Sequence, residues 1–332
     1  MPASTMTDRS VPATAAPSTR QARMVALLDR LAPRTGITLS TLDGVKFMRS
    51  ETSLGRVPVL YEPSIVIVCQ GGKRGYLGGA SFDYDAQHYL VLSLPLPFES
   101  ETVQASPEEP MLAVSLAIDL HDAADLVLAL GQGAPCGAPA AARVDAPAGI
   151  SSTPLSDAMS DALLRLLEAL TVPADARVLA PAIVRELLYR VLTGPQGGAV
   201  HASLTQQSQF GKIGKALRRI HGAYESDIDV GMLASEAGMS VAAFHANFKA
   251  VTQTSPIQYL KTTRLHKARL LMVQDGVSAA TAAGLVGYES SSQFSREFKR
   301  FFGRTPSQEA AVMKTALTLI PAEATSGYVT VQ

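Results

Sequence analysis

The residues whose types and spacing best fit a chemical role surround two phenylalanine pairs. Phe244 and Phe248 are four residues apart, and Phe294 and Phe298 repeat that spacing. Residues four apart share one face of a helix, so each pair predicts a face that is buried in a core. The opposite face of each helix must then project into solvent, where polar and basic side chains can donate hydrogen bonds to a ligand.

The outward-facing side chains of the two helices differ in chemistry. The second helix offers arginine, lysine, glutamine and serine, whereas the first offers mainly alanine with His245 and Lys249. Arginine and glutamine can hydrogen-bond to the edges of DNA bases, and alanine provides only a methyl contact to thymine. Basic residues further out suit phosphates, which position a protein without specifying sequence. The candidates for phosphate contacts are Lys249, Lys299, Arg300 and Arg304.

The charge distribution supports an anionic partner for this part of the chain only. The 332 residues have a formal net charge of zero. Residues 1–209 nevertheless carry 15 Lys and Arg against 20 Asp and Glu, whereas residues 210–314 carry 14 against 8. Such asymmetry indicates a nucleic-acid-binding module joined to a different module.

A repeat with an offset of about 50 residues organises the basic region. Leu233–Ser240 is echoed by Ala282–Tyr288, and Pro256 is echoed by Pro306. Each copy predicts a short helix, a turn containing glycine and a second helix that carries the phenylalanine pair, which is the outline of a helix-turn-helix. Glycine permits a left-handed backbone in the turn, and Ser240 is a candidate N-cap.

A helix is predicted between the two copies, from Pro256 to Gln274. Nineteen residues at about 1.5 Å each give about 28 Å. Successive major grooves on one side of B-DNA are about 34 Å apart. A rigid spacer of this length would let both second helices reach adjacent grooves.

The first half predicts an antiparallel β-barrel with flanking helices, which makes the fold class of the whole chain α+β. An amphipathic helix around Met24 and Leu28 precedes short apolar runs bounded by turn residues, and Gly78-Gly79 suggests a two-residue hairpin. The predicted strands are Val57–Tyr61, Ile65–Cys69, Arg74–Leu77, Ala80–Tyr84, Tyr89–Leu94 and Met111–Ile118.

Two further amphipathic helices, Ser156–Leu170 and Ala180–Leu192, can either pack on the barrel or form a dimer seam. The polar stretch 193–209 is predicted to be a flexible linker. The predicted organisation is therefore a disordered tail at 1–20, a sensory and dimerisation domain at 21–192, the linker, an all-α domain with two helix-turn-helix units at 210–314, and a tail at 315–332.

Several other classes of protein are disfavoured. The chain lacks Gly-x-Ser-x-Gly, Walker and dinucleotide-binding glycine motifs, so we expect no enzyme activity and no cofactor. His88 and His121 are the only histidines of the barrel region, so we expect no bound metal. Two cysteines and the lack of a long apolar run or signal peptide favour a cytoplasmic protein without a membrane partner.

The region from Phe210 to Met313 closely resembles the DNA-binding domain of the AraC/XylS family of bacterial transcription regulators. The resemblance rests on Leu233-Ala234, Ala237–Ser240, Ser255–Leu260, Arg264-Leu265, Ala268–Leu271, Gly287–Ser290, Gln293–Arg300, Phe302-Gly303 and Thr305-Pro306. The first half more loosely resembles the cupin-like AraC-type N-terminal domain, through Tyr61–Ser64, Gln70–Arg74, Glu108–Pro110 and Arg185–Leu192. The resemblance implies a regulator that binds double-stranded promoter DNA and senses a small-molecule effector. We also expect a homodimer, with RNA polymerase as a further partner.

Matching the chain to the family implies which side chains contact bases. The implied positions are Ala242, His245 and Ala246 in the first helix and Ser291, Ser292 and Arg296 in the second, with Gln293 as a further candidate. The first helix departs from the usual polar pattern. We therefore hypothesise that the second unit contributes more hydrogen-bonded readout and that the first mainly positions the protein.

The sensory half offers two weaker predictions. Barrel geometry suggests an effector pocket lined by Phe82, Tyr84, Tyr89 and Val91, although strand alternation allows only some of them to face inward together. Cys69, at the end of an apolar strand, is either a buried structural residue or a thiol sensor. The competing hypothesis for the whole chain is thus a DNA-binding module fused to a redox- or electrophile-reactive cysteine sensor or a repair domain.

Overall fold

The computed structural model describes residues 19–133, 149–195, 197–204 and 208–317. Cys136 and most of the two predicted tails lie outside the described residues. The described part has an N-terminal region of strands and helices followed by a helical C-terminal region, which confirms the predicted fold class.

The N-terminal strands form two antiparallel sheets. The strands are β1 (Gly36–Leu39), β2 (Val45–Ser50), β3 (Leu54–Tyr61), β4 (Ser64–Gln70), β5 (Gly72–Leu77), β6 (Ala80–Asp85), β7 (His88–Leu92), β8 (Leu96–Gln104), β9 (Met111–Ala117) and β10 (Ile150–Pro154). One sheet has the order β1-β2-β9-β4-β7-β10 and the other β3-β8-β5-β6. The antiparallel pairing was predicted, but the two sheets do not close into a barrel.

The hairpin that the sequence predicted at Gly78-Gly79 is present. Leu77 pairs with Ala80, so two residues connect β5 to β6. Gly78 and Gly79 have φ angles of +59° and +86°, which residues with a Cβ atom rarely adopt. The glycine pair therefore fixes the register of this hairpin.

Strand β4 lies inside the six-stranded sheet and is buried on both faces. Ile65, Ile67 and Cys69 belong to one apolar core, whereas Val66 and Val68 belong to another. Successive side chains of a strand point to opposite faces, so the sheet separates the two cores. The first core lies under the N-terminal helices, and the second lies between the two sheets and continues to the C-terminal helices.

In the described part of the chain up to residue 204, six helices accompany the sheets. They are α1 (Thr19–Leu31), α2 (Leu120–Gly133), α3 (Asp157–Ala169), α4 (Pro173–Val178), α5 (Ala180–Thr193) and α6 (Gly197–Leu204). The apolar stripes of α3 and α5 pack with Ile65 and Ile67, as Leu163 and Leu187 illustrate. Both stripes therefore pack against the sheet, which is the first of the two alternatives that the sequence left open.

Helix α6 falls inside the stretch that the sequence predicted to be a flexible linker, and there the prediction is wrong. Ala199, Val200 and Ser203 are buried, and the helix contacts both α5 and the first C-terminal helix. A short apolar face was enough to dock this segment, because two helices offered surfaces on either side of it.

The C-terminal region is helical throughout. Its helices are α7 (Gln209–Gly222), α8 (Val230–Glu236), α9 (Val241–Thr252), α10 (Pro256–Gln274), α11 (Ala279–Leu285), α12 (Ser291–Phe302) and α13 (Pro306–Leu317). Helix α10 has the limits that the sequence predicted for the spacer. Ser255 caps its first turn by accepting a hydrogen bond from Gln258 N, and Pro256 occupies the first helical position.

The two regions share one apolar core. Val66, Leu90 and Phe98 of the sheets pack in the same cluster as Ile213 and Leu217 of α7. The first helix-turn-helix unit contributes to this cluster as well, through Leu233, Phe244 and Phe248. Sheets and helices therefore bury one another, and the relative placement of the two regions is fixed by apolar packing.

A buried tyrosine adds a directional contact to this interface. The Tyr259 hydroxyl donates to the Pro95 carbonyl oxygen at 2.6 Å, and His221 Nε2 lies 2.7 Å from the same hydroxyl. The ring of Tyr259 is inaccessible to solvent. Both partners would lose their hydrogen bond if the hydroxyl were removed.

We expect Tyr259→Phe to lower the free energy of unfolding by about 1–3 kcal/mol, because it leaves a buried carbonyl and a buried ring nitrogen unpaired. Urea denaturation followed by circular dichroism measures this change. Tyr189→Phe, at a tyrosine that is 43% exposed, is the matched control and should change stability little. Equal effects of the two substitutions would contradict the interpretation.

Candidate nucleic-acid interface

The repeat forms two helix-turn-helix units with the same backbone hydrogen bonds in the turn. In the first unit Gly238 N donates to Ser235 O at 2.9 Å and Met239 N to Ala234 O at 2.9 Å. In the second unit Gly287 N and Tyr288 N donate to the carbonyls of Gly284 and Ala283 at 3.1 and 2.9 Å. Gly238 and Gly287 have φ angles of +62° and +82°, which confirms the predicted left-handed turns.

Each second helix begins at a serine cap. Ser240 accepts a hydrogen bond from Ala243 N at 3.3 Å, and Ser290 accepts one from Gln293 N at 3.2 Å. A capping side chain satisfies an amide that the helix itself leaves unpaired. The caps define where α9 and α12 start and hence which side chains fall on their outer faces.

The phenylalanine pairs hold α9 and α12 against the protein. Phe244, Phe248, Phe294 and Phe298 are all completely buried. The ring centroids within each pair are 5.5 and 5.4 Å apart. Burial of one face in this way leaves the opposite face of each helix in solvent.

All residues predicted to contact bases lie on the exposed faces of α9 and α12. Ala242, His245 and Ala246 are exposed on α9, and Ser291, Ser292, Gln293 and Arg296 are exposed on α12. The sheet domain, although packed against the helices, leaves these side chains accessible. The exposure of these residues is observed, and their contact with DNA bases stays a prediction.

The four predicted phosphate contacts are also exposed, but they differ in their surroundings. Arg304 Nη1 lies 3.4 Å from Glu309 Oε2, so this guanidinium already has an anionic partner. Within the described residues, the charged side-chain groups of Lys249, Lys299 and Arg300 make no hydrogen bond or ion pair. Their charges are therefore the more available ones for an external anion.

A part-buried hydrogen-bond network ties α12 to the spacer helix. Glu297 accepts hydrogen bonds from Lys261 Nζ at 3.1 Å, from the Tyr288 hydroxyl at 2.9 Å and from Gln293 Nε2 at 3.2 Å. Burial acts to raise the pKa of Glu297, but the hydrogen bonds from Gln293, Tyr288 and Lys261 bring it below its ordinary value. Gln293 is therefore held by Glu297, which restrains its predicted contact with a base.

The predicted effector pocket does not exist as one site. Phe82 and Tyr84 pack in the core between the sheets, whereas Tyr89 and Val91 pack in the core under α3 and α5. In β7, Leu90 and Leu92 are the residues that face the C-terminal helices. The prediction was wrong because the six-stranded sheet is buried on both faces, so apolar character alone did not reveal the direction of each side chain.

Cys69 is buried against the N-terminal helices and is not suited to a thiol sensor. Its backbone carbonyl accepts a hydrogen bond from the Gln21 side chain, and its thiol is inaccessible to solvent. Burial raises the pKa of the Cys69 thiol to about 12, so the reactive thiolate is scarce at neutral pH. The structural interpretation of Cys69 is thus the supported one, and the cysteine-sensor alternative is not.

The described residues form neither a cluster of metal-binding side chains nor a membrane-spanning helix. His88 Nδ1 lies 2.8 Å from a single carboxylate, that of Asp85. Within the described ranges, no group of three His, Cys, Asp or Glu side chains is arranged to hold a metal ion. None of the helices described here is long and apolar enough to cross a bilayer.

Sequence reasoning missed several residues that position the two units. Arg264 on α10 and Glu297 on α12 connect segments far apart in the chain, and Glu62 contacts the helical region from the turn after β3. Arg264 and Glu62 fall within motifs that carried the family resemblance. The partners of these three side chains are backbone carbonyls or side chains distant in sequence, so the spacing of residues along the chain did not indicate them.

Comparison with known proteins agrees with this architecture. Residues 41–199 match the family model of the AraC-type transcriptional regulator N-terminus, and residues 233–311 match a helix-turn-helix domain model. The regulator AlkR of Acinetobacter baylyi is 33% identical over 95 residues, which are 29% of this chain and 31% of AlkR. The activator RclR of Escherichia coli is 38% identical over 76 residues, or 23% of this chain and 27% of RclR.

The fold as a whole is similar to a solved structure. A crystal structure of ToxT from Vibrio cholerae superposes with a TM-score of 0.58 and covers 82% of this chain and 99% of ToxT, at 11% sequence identity. This likeness concerns the fold alone. The alignments to AlkR and RclR span less than a third of either protein.

The described chain has sheets that match the AraC-type N-terminus, followed by two capped helix-turn-helix units on one spacer helix. This is the architecture of the AraC-type transcriptional regulators. The chain belongs to the AraC/XylS family of transcriptional regulators.

We expect Arg296→Ala to relax discrimination at one base pair of the target by about 1–3 kcal/mol, because an exposed arginine on α12 can bond two acceptors of guanine. Lys299→Ala, three residues further along the same face, should instead weaken binding to all sequences similarly. Competition binding against a set of single-base variants distinguishes the two outcomes. A uniform loss for Arg296→Ala would show that this arginine contacts phosphate rather than a base.

Proposed function

We propose that this protein is a sequence-specific DNA-binding regulator that controls promoters in response to a small molecule. The observation that carries the proposal is the exposed pair of serine-capped helices, each anchored by buried phenylalanines, within a segment rich in positive charge. Family membership supports the same conclusion. The proposal treats the protein as a regulator rather than an enzyme and places it in the cytoplasm.

The two units divide the recognition of DNA unequally in this proposal. The second unit presents Arg296 with two serines and Gln293, which can donate and accept hydrogen bonds at base edges. The first unit presents two alanines and His245, which suit methyl contacts and fewer hydrogen bonds. We therefore assign most of the sequence discrimination to α12 and mainly a positioning role to α9.

The sheet domain is proposed to receive the signal. ToxT, which shares the fold, has been crystallised with an unsaturated fatty acid bound. In this chain the shared apolar core gives an effector a direct physical route to the helices, because repacking around Val66 or Leu90 would disturb α7. An effector that binds two arrangements of this interface with different affinity would shift the population between them.

A charged contact at the same interface is well placed to take part in that response. Glu62 Oε1, in the turn after β3, lies 3.5 Å from His221 Nδ1 and 3.8 Å from Lys267 Nζ. Burial acts to raise the pKa of Glu62, but His221 and the charges of Lys267 and Lys46 bring it below its ordinary value of 4.5. The carboxylate thus favours the docked arrangement of sheets and helices.

Homodimerisation and contact with RNA polymerase complete the proposal. Val178, Leu179 and Tyr189 are exposed apolar side chains on or beside α4 and α5. Exposed apolar side chains of this kind suit association with a second copy. Two copies would present four helix-turn-helix units to promoter DNA.

Selection of the full-length protein against random duplex DNA tests the proposed function directly. We expect a defined motif to be enriched, and we expect affinity for that motif to fall with a log–log salt slope of about −0.9 per neutralised phosphate. Fluorescence anisotropy at several salt concentrations gives the slope. Enrichment of no motif by the folded protein, or affinity independent of salt, would refute the proposal.

We expect Glu62→Gln to weaken docking of the helices by less than about 1 kcal/mol, because the carboxylate is half exposed. A carboxyl group whose pKa is lower in the folded than in the unfolded state stabilises the folded state at pH values above its ordinary pKa. This stabilisation is lost as the pH falls through the folded-state pKa. The difference in unfolding free energy between Glu62→Gln and the wild type should therefore be present at neutral pH and be lost as the pH falls through the folded-state pKa of Glu62, which lies below its ordinary value of 4.5. Glu289→Gln, at an exposed glutamate away from this interface, is the control, and a difference that grows on acidification would contradict the assignment.

A further inference from the structure

We propose that Arg264 is a positioning residue that sets the spacing between the two DNA half-sites which this protein recognises. The inference rests on the proposed function, in which both helix-turn-helix units dock on one duplex. Arg264 lies on α10, and its guanidinium donates to the carbonyls of Tyr224, Ser226 and Gly287, none of which belongs to the predicted DNA contacts. Its role would be to hold the two units in one relative orientation.

The Arg264 guanidinium joins the two units through their backbones. Nε donates to the Tyr224 carbonyl at 2.7 Å and Nη2 donates to the Ser226 carbonyl at 2.8 Å, both in the loop that leads into the first unit. Nη1 donates to the Gly287 carbonyl at 3.0 Å, in the turn of the second unit. One planar group on the spacer therefore connects both units at once.

Close packing reinforces these hydrogen bonds. A Cβ on Gly287 would lie 2.3 Å from the Glu225 carbonyl oxygen, so the turn of the second unit is in direct contact with the loop of the first. Tyr224, in that loop, packs against the core of the first unit and the core of the second. The junction leaves no room for the two units to rotate independently.

Arginine is the residue type that this junction requires. Its five N–H donors have a fixed planar arrangement, which matches three carbonyls that converge from separate segments. Lysine has the charge but no planar arrangement of donors, and methionine has the length without a donor. Loss of the guanidinium would free the units to move against each other while each kept its own core.

A rigid junction has a measurable consequence for DNA binding. Once one unit is bound, the effective concentration of the other unit at its half-site depends on how well the junction between the units matches the distance between the two half-sites. An inserted base pair rotates one half-site by about 35° and shifts it by about 3.4 Å. A rigid junction makes such an insertion costly, whereas a loosened junction tolerates it.

The experiment uses the full chain and the duplex obtained by selection, with variants that carry one or two additional base pairs between the half-sites. We expect wild-type affinity to fall by about tenfold or more on insertion. For Arg264→Met the same insertion should cost less than about threefold, while affinity for a single half-site stays within about twofold of the wild type. Arg219→Met, which removes an arginine of α7 that does not contact the junction, should keep the wild-type spacing penalty.

Arg264→Lys and Gly287→Ala provide independent variants if Arg264→Met unfolds, which circular dichroism would show. We expect both to reduce the spacing penalty, the first by losing two of the three carbonyl contacts and the second by forcing the loop and the turn apart. An unchanged spacing penalty in the folded variants, or an equal loss on every duplex including the single half-site, would overturn the role of Arg264. Failure of the wild type to select any duplex would instead overturn the proposed function itself.

Discussion

The structure depends on the burial of one face of each second helix of the repeat, because only a helix held by its inner face can present its outer face to a ligand. Phe244 with Phe248 and Phe294 with Phe298 provide that attachment, and all four side chains are completely buried. Serine caps and positive-φ glycines fix where the helices begin. His245 on α9 and Arg296 on α12, which lie between the phenylalanines, are consequently on the exposed faces.

The second constraint is that the sheets and the first helix-turn-helix unit bury a common core. Ile213 and Leu217 of α7 pack with Val66 and Leu90 of the sheet, so exposing either surface would uncover a large apolar area. If the sheets receive the signal, as proposed, a region connected in this way would act through packing rather than through a tether. Glu62, His221 and Lys267 add a smaller electrostatic contact at the edge of the same interface.

Periodicity in the sequence predicted those helices and turns that are specified by residues close together along the chain. The limits of the spacer helix, the two-glycine hairpin, the Ser240 cap and the burial of the phenylalanines follow from residues close together along the chain. Strand β8 was missed although Leu96, Phe98, Ser100 and Thr102 alternate with more exposed residues, because its glutamates and serine resemble a loop. The helix at 197–204 was missed because its stability comes from the helices on either side.

The sequence alone determined that this protein has two similar helix-turn-helix units on a spacer and which of their side chains face solvent, since both properties follow from helical periods and turn residues. The tertiary structure decided the rest. It divided Tyr89 and Val91 from Phe82 and Tyr84, placed Cys69 out of reach of solvent, and brought Arg264 to carbonyls of two separate segments. These are contacts between distant parts of the chain, and the direction of a side chain in a sheet buried on both faces depends on which layers cover it.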